Sequence, residues 1–139
     1  MDDFEWLDHT ADIGVRVRAK THAELFTQAA AAMFSVIARP AESLKNPKKE
    51  VFSIILEASD WDALLLDWLN ELVSLSDSRG IIFTDFNIHK LSATTLNAKV
   101  LGASRAHFVM ERDVKAVTAH GLKIHESNKQ LEVEVIFDV

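Results

Sequence analysis

Two acidic motifs carry the chemistry this sequence offers: Asp8-His9-Thr10-Ala11-Asp12-Ile13-Gly14 near one end and Ile136-Phe137-Asp138-Val139 at the other. After Asp12, the residues Ile13, Val15, Val17 and Ala19 alternate with Gly14, Arg16, Arg18 and Lys20. Before Asp138, Leu131, Val133, Val135 and Phe137 alternate with Glu132, Glu134 and Ile136. Side chains in a strand alternate faces, so both aspartates lie off the main apolar stripe. One begins its strand and the other ends its own. If the two strands are adjacent and antiparallel, those ends meet at one edge of a sheet, with the terminal carboxylate of Val139 close by. Three anionic groups gathered without a cation repel one another, and a bound hard cation resolves this. Oxygen donors without cysteine favour Ca²⁺, Mg²⁺ or Mn²⁺ over zinc, with Ca²⁺ the first expectation. His9 fits as a ligand, as a hydrogen-bonding support behind the ligands, or as an ordinary turn histidine.

The bland reading stands beside this one. A lone aspartate near a chain end is ordinarily a turn cap or a solvated tail residue. Two at convergent strand ends, with a third carboxylate, bring the two readings level. Lys115 lies near the start of a late strand that a hairpin around Asn128-Lys129 would fold back toward Asp138. There it could neutralise a carboxylate or touch a phosphate; by spacing alone it is a solvent lysine. Asp60 and Asp62 begin a helix, where the dipole favours carboxylates without further explanation. The histidines form no i, i+4 pair and no HExxH, and the chain has no phosphate-binding glycine loop and no GxSxG. Nothing reads as a self-sufficient catalyst.

The elements that must position these groups are legible from periodicity. A strand over about 12–20 is followed by Thr21-His22-Ala23-Glu24, a capping box, and a helix over about 22–38. That helix is apolar nearly all round, which predicts sheet on both sides of it. A strand over 51–57 precedes a second helix over about 60–77, whose Trp61, Leu64, Leu65, Trp68, Leu69, Leu72 and Val73 form a helical stripe. Asp67, Asn70, Glu71, Ser74 and Asp77 mark its wetter side. Strands over about 81–90, 94–102, 114–125 and 130–138 follow, with hairpins at Ser92-Ala93 and Ser127-Asn128-Lys129 and a loop or irregular crossing over 103–113. His120-Gly121 marks a bulge. The expectation is one α+β domain over 1–139, in the order β-α-β-α-β-β-β-β, with β/α/β layers.

Composition excludes several functions. With 139 residues the chain can bury a real core without disulfides, and it contains no cysteine. Thiolate catalysis, Fe–S clusters and thiolate zinc sites are thereby removed, and a reducing cytoplasm is the expected compartment. The acidic start is unlike a signal peptide, and no apolar run is long enough for a membrane span. A formal net charge of −6 opposes tight direct binding to nucleic acid, so any RNA should be held by another protein.

Four blocks add up to a resemblance. Phe4-Glu5-Trp6-Leu7-Asp8-His9-Thr10-Ala11-Asp12-Ile13-Gly14 resembles the opening signature of the archease family. Trp68-Leu69-Asn70-Glu71-Leu72 resembles its second-helix motif, and Asp113-Val114-Lys115-Ala116-Val117-Thr118-Ala119-His120-Gly121-Leu122 its late-strand motif. Val135-Ile136-Phe137-Asp138-Val139 is similar to its ending. Each block is weak alone; in this order they are specific.

The resemblance implies a small accessory protein of the RNA-splicing ligase, the enzyme that joins a 2′,3′-cyclic-phosphate or 3′-phosphate end to a 5′-hydroxyl end, as in tRNA splicing. Such proteins promote guanylylation of the ligase's active-site histidine, allow multiple turnovers and can broaden its nucleotide use. The family's metal-binding acidic pocket carries over to Asp12 and Asp138, and its functionally important lysine to Lys115. The implied partner is the ligase, with RNA reached only through it and no membrane involved. Two positions depart from the family pattern: Ala119, where tyrosine is frequent, and Leu131, where tryptophan is. The rival reading is a metal-stabilised interaction or chaperone-like module unrelated to ligation. A metal-dependent hydrolase lacks any general-base constellation.

Overall fold

Alternation and helical periodicity resolve into two sheets with both helices between them. The computed structural model describes residues 4–8, 12–42 and 47–139, the side chains of Leu7 and Asp8 excepted. The strands are β1 (Phe4–Asp8), β2 (Asp12–Ala19), β3 (Ala38–Pro40), β4 (Glu50–Glu57), β5 (Ile81–Leu91), β6 (Thr95–Ser104), β7 (Phe108–Met110), β8 (Ala116–Thr118), β9 (His125–Ser127) and β10 (Gln130–Asp138). The helices are α1 (His22–Ile37) and α2 (Trp61–Arg79). One sheet runs β1-β2-β10-β8, with β9 also on β10; a second runs β4-β6-β5; β3 and β7 form a small ribbon. The pairings are antiparallel.

The helices form the middle layer. α1 packs on β2 and β10 of one sheet and on β5 of the other, and α2 bridges β8 to β4 and β5. This is why α1 is apolar on nearly every side: Leu25, Phe26, Ala29, Ala30, Ala32, Met33, Phe34, Val36 and Ile37 are all buried. Thr21 caps α1 by accepting from the Glu24 N–H at 3.1 Å, while Glu24 reaches back to the Lys20 N–H at 3.4 Å. Asp60 caps α2 from the Ala63 N–H at 2.8 Å. Gly80 ends α2 in the left-handed region, at φ 65°, with its N–H on the Ser76 carbonyl.

The expected element order and the layered α+β architecture hold, with finer differences. Residues 4–8 form an extra strand whose Phe4 and Trp6 lie opposite Val17 and Val15. The stretch expected as a loop over 103–113 instead finishes β6, makes one short 3₁₀ turn over Arg105–His107 and adds β7, which pairs with β3. The single strand expected over 114–125 is two: residues 119–124 bulge out opposite 133–135. Gly121 at φ 70° turns the chain there, and the Asp62 carboxylate accepts the Ile124 N–H at 2.9 Å where it rejoins the sheet. The glycine at 121 was the signal, and the excursion is larger than one bulged residue. Asn128 and Lys129, at φ 51° and 63°, make the tight β9–β10 turn.

Gly102 on β6 has a steric reason. A Cβ there would lie 2.4 Å from the Ile82 carbonyl oxygen and 2.6 Å from the Ile81 Cγ2. Gly102→Ala must therefore push β5 and β6 apart, at a cost of about 1–3 kcal/mol. Urea denaturation checks this; an unchanged midpoint would mean the strands separate freely.

Candidate functional site

The outer face of the five-stranded sheet pairs its charges row by row. On β2 and β10, Arg18 stands opposite Glu132, Arg16 opposite Glu134, Gly14 opposite Ile136, and Asp12 opposite Asp138. In the first row the Arg18 guanidinium donates to Glu132 at 2.6 Å. Arg16 lies 3.8 Å from Glu134 and 3.7 Å from Glu132, and it also pairs with Glu5 of β1. Then comes a row without charge, and then two carboxylates face each other. Like charges directly opposite on a sheet destabilise the pairing. Among the described residues neither aspartate has an ion pair, whereas Glu5, Glu111, Glu132, Glu134 and Asp85 do. The rule that organises the rest of this face stops at its tip.

The tip is built from both ends of the sequence. Asp12 is half-buried and Asp138 exposed, and Asp138 is also the register partner of Ala116 on β8. The Lys115 N–H donates to the Asp138 carbonyl at 2.8 Å. Lys115 is thus joined to the Asp138 end of β10 through its backbone, two strands away from Asp12, and it lines a cleft with Asn70, Ser74, Asp77 and Asp113; among the described residues its ammonium makes no ion pair. Val139 follows, half-buried against the core. His9 lies outside the described residues.

Asn70 is the residue that sequence reading misplaced. The polarity pattern sets it on the wet side of α2, yet its side-chain amide donates to the Val117 carbonyl at 3.1 Å and accepts the Val117 N–H at 2.8 Å. Asn70, Ser74 and Asp77, at i, i+4 and i+7, line a cleft of about 370 Å³ with Asp113, Val114 and Lys115. A polar stripe running alongside the apolar one was the available signal that α2 faces a second polar element there.

At the opposite end of the sheet, His22 stacks on Trp61 with ring centroids 3.6 Å apart and planes within 9°. Burial lowers the His22 pKa below the ordinary imidazole value, opposed by the charge of Glu126. Of the two departures from the family pattern, Leu131 is buried opposite Ala19, and Ala119 is exposed beside the 119–124 excursion.

As to metal, two carboxylates on adjacent strand ends are hard oxygen donors of the kind that hold Ca²⁺ or Mg²⁺ with water completing the shell. Among the described residues no group of three or more His, Cys, Asp or Glu side chains is arranged to hold an ion. A site here rests on the pair and on what joins it. Among the described residues, no helix is long and apolar enough to cross a membrane.

Comparison with known proteins gives one answer. Residues 4–139 match the model of the archease protein family (MTH1598/TM1083). Protein archease of Methanosarcina barkeri is 32% identical over 142 residues, covering 98% of this chain and 95% of that protein. Protein archease of Pyrococcus abyssi is 36% identical over 133 residues, covering 91% and 90%. These relatives are named as proteins, with no reaction in the name. The solution structure of Methanobacterium thermoautotrophicum protein 1598 superposes with a TM-score of 0.76 at 29% identity, covering 100% of both chains. A Thermotoga maritima crystal structure, described as an archease and possible chaperone, shares the fold with a TM-score of 0.66 at 20% identity, covering 96% and 94%. The four blocks, the layered fold and these matches over almost its whole length agree that this chain belongs to the archease family.

Proposed function

We propose that this protein is an accessory factor of an RNA-splicing ligase, promoting guanylylation of that enzyme's active-site histidine and its repeated turnover. The observation that carries the reading is the pair Asp12–Asp138, register partners without an ion pair among the described residues, at the end of a face otherwise paired charge against charge. A destabilising arrangement kept at an exposed tip, beside a lysine, is what a charge-handling site requires.

Asp12 and Asp138 would hold a divalent cation, Ca²⁺ by first expectation and Mg²⁺ or Mn²⁺ otherwise. When bound, the ion would supply positive charge to phosphate oxygens. The chain's own residues do the rest. β2 and β10 make Asp12 and Asp138 register partners, and the bond from the Lys115 N–H to the Asp138 carbonyl holds the lysine's backbone against that end of β10. Its ammonium is then available to a phosphate group in the ligase. Guanylyl transfer depends heavily on positioning and charge stabilisation, so a partner without a nucleophile of its own can accelerate it. RNA is reached through the ligase, in keeping with a net charge of −6.

The test is guanylylation of the purified ligase with GTP and a divalent metal, with and without substoichiometric amounts of this protein. Faster adduct formation with several turnovers per molecule is the expected result. No stimulation of a competent ligase would overturn the reading. It would favour the second one, a metal-stabilised interaction or chaperone-like module, for which the description of the Thermotoga protein and the exposed Val51 and Ile55 on edge strand β4 are the supporting observations.

A further inference from the structure

β8 is three residues long and lies at the edge of its sheet. An edge strand turns the N–H and C=O of alternate residues away from its neighbour, where ordinarily water or another strand satisfies them. At Val117 both groups are taken by one side chain, the Asn70 amide, at 2.8 and 3.1 Å. Only a carboxamide offers a donor and an acceptor in one plane at this spacing. The two bonds fix its orientation, since the reverse assignment would set N–H against N–H and C=O against C=O. Asn70 thus stands in for the missing next strand. Trp68, two residues earlier on α2, is fully buried and anchors the helix that carries it. The strand so held is the one that delivers Lys115: Val117 is clamped, Ala116 is the register partner of Asp138, and the Lys115 N–H bonds the Asp138 carbonyl.

We infer that Asn70 is a positioning residue for the acidic tip, docking β8 on α2 so that the Lys115 backbone is held against Asp138. Its effect on activation rests on the proposed role of that tip; its effect on the strand does not. The two are measured separately in wild type, Asn70→Ala, Asn70→Asp, Lys115→Ala and the Asn70→Ala/Lys115→Ala double variant.

Amide hydrogen exchange by NMR reads the clamp alone. In Asn70→Ala the Val117 and Lys115 amides should exchange on the order of tenfold faster, as expected for loss of hydrogen bonds that close a short edge strand. Val15 and Val135 in the sheet centre should keep their protection. Asn70→Asp is isosteric but cannot donate to the Val117 carbonyl, so it should behave like Asn70→Ala. Full protection in either variant would overturn the clamp. Stimulated guanylylation reads the consequence. Asn70→Ala should lose stimulation, and adding it to Lys115→Ala should lose nothing more, because residues acting as one unit are not additive. Independent, multiplying losses would mean that Asn70 acts only through general stability, and would overturn the positioning role. If wild type itself fails to stimulate the ligase, the functional reading falls, and the exchange result still decides whether Asn70 holds the strand.

Discussion

Asp138→Ala should reduce stimulated guanylylation to the rate of the ligase alone while leaving the folded domain essentially as stable as before. Asp12→Ala should do the same. Asp12 begins β2 and Asp138 ends β10, and among the described residues neither makes an ion pair. Among the described residues their removal breaks no ion pair, and relieving a like-charge pair offsets part of any packing lost, so stability should stay within about 0.5 kcal/mol. Divalent cation affinity should fall on the order of tenfold or more with each, because affinity at oxygen sites follows the number of charged ligands. Calorimetric titration with Ca²⁺ alone measures that, and thermal denaturation measures its linkage to folding. At a hundredfold excess over its dissociation constant a cation binding only the native state adds about 2.7 kcal/mol, which wild type should show and either variant at the same concentration should not. A variant that binds no cation, folds normally and still stimulates the ligase would sink the acidic-tip mechanism. A variant whose stability collapses together with its cation affinity would assign the pair a structural role instead.

The convergence of Asp12 and Asp138 was readable because strand alternation and hairpin order constrain which ends meet. Eight residue pairs, from Leu131↔Ala19 to Asp138↔Asp12, then follow from one antiparallel register. The helix layer was readable for a similar reason: α1 has almost no polar face to give to solvent, so sheet had to lie on both sides. What escaped were the positions where a side chain substitutes for backbone. Asn70 reads as a wet-face residue and Asp62 as a first-turn carboxylate favoured by the dipole, because a sequence shows polarity, not which amide the polar atom meets across 47 or 62 positions of chain. The split of the 114–125 strand escaped for the same cause. Its apolar residues continue through the excursion, and only Gly121 and the reach of Asp62 interrupt the ladder. The backbone bond by which the Lys115 segment meets Asp138 cannot be read from residue types.

Trp68→Ala should produce the largest loss of stability of any substitution considered, with part of the activation surviving wherever the protein is folded. Trp68 is fully buried in the middle layer. Its indole N–H donates to the Phe26 carbonyl on α1 at 3.0 Å, and its ring meets Phe86 of β5 edge-on at 6.3 Å. It therefore ties α2 to α1 and to the three-stranded sheet at once. Emptying that volume costs about 3–5 kcal/mol, against a typical total of roughly 5–15 kcal/mol. Trp68→Phe keeps most of the volume and loses the hydrogen bond, so it should cost less, about 1–2 kcal/mol for the bond itself. Urea denaturation should rank wild type above Trp68→Phe above Trp68→Ala; equal midpoints for the last two would mean that the indole N–H matters more than the packing. Assayed well below its unfolding temperature, Trp68→Ala should keep part of its stimulation, since the carboxylates are held by β2 and β10, and lose only what a loosened α2 costs through the Asn70 hold on β8. The aspartate variants should show the converse, stable and inactive. That opposition separates the site from the scaffold: a charge pair that the fold tolerates at its tip, and a core that would be the same without it.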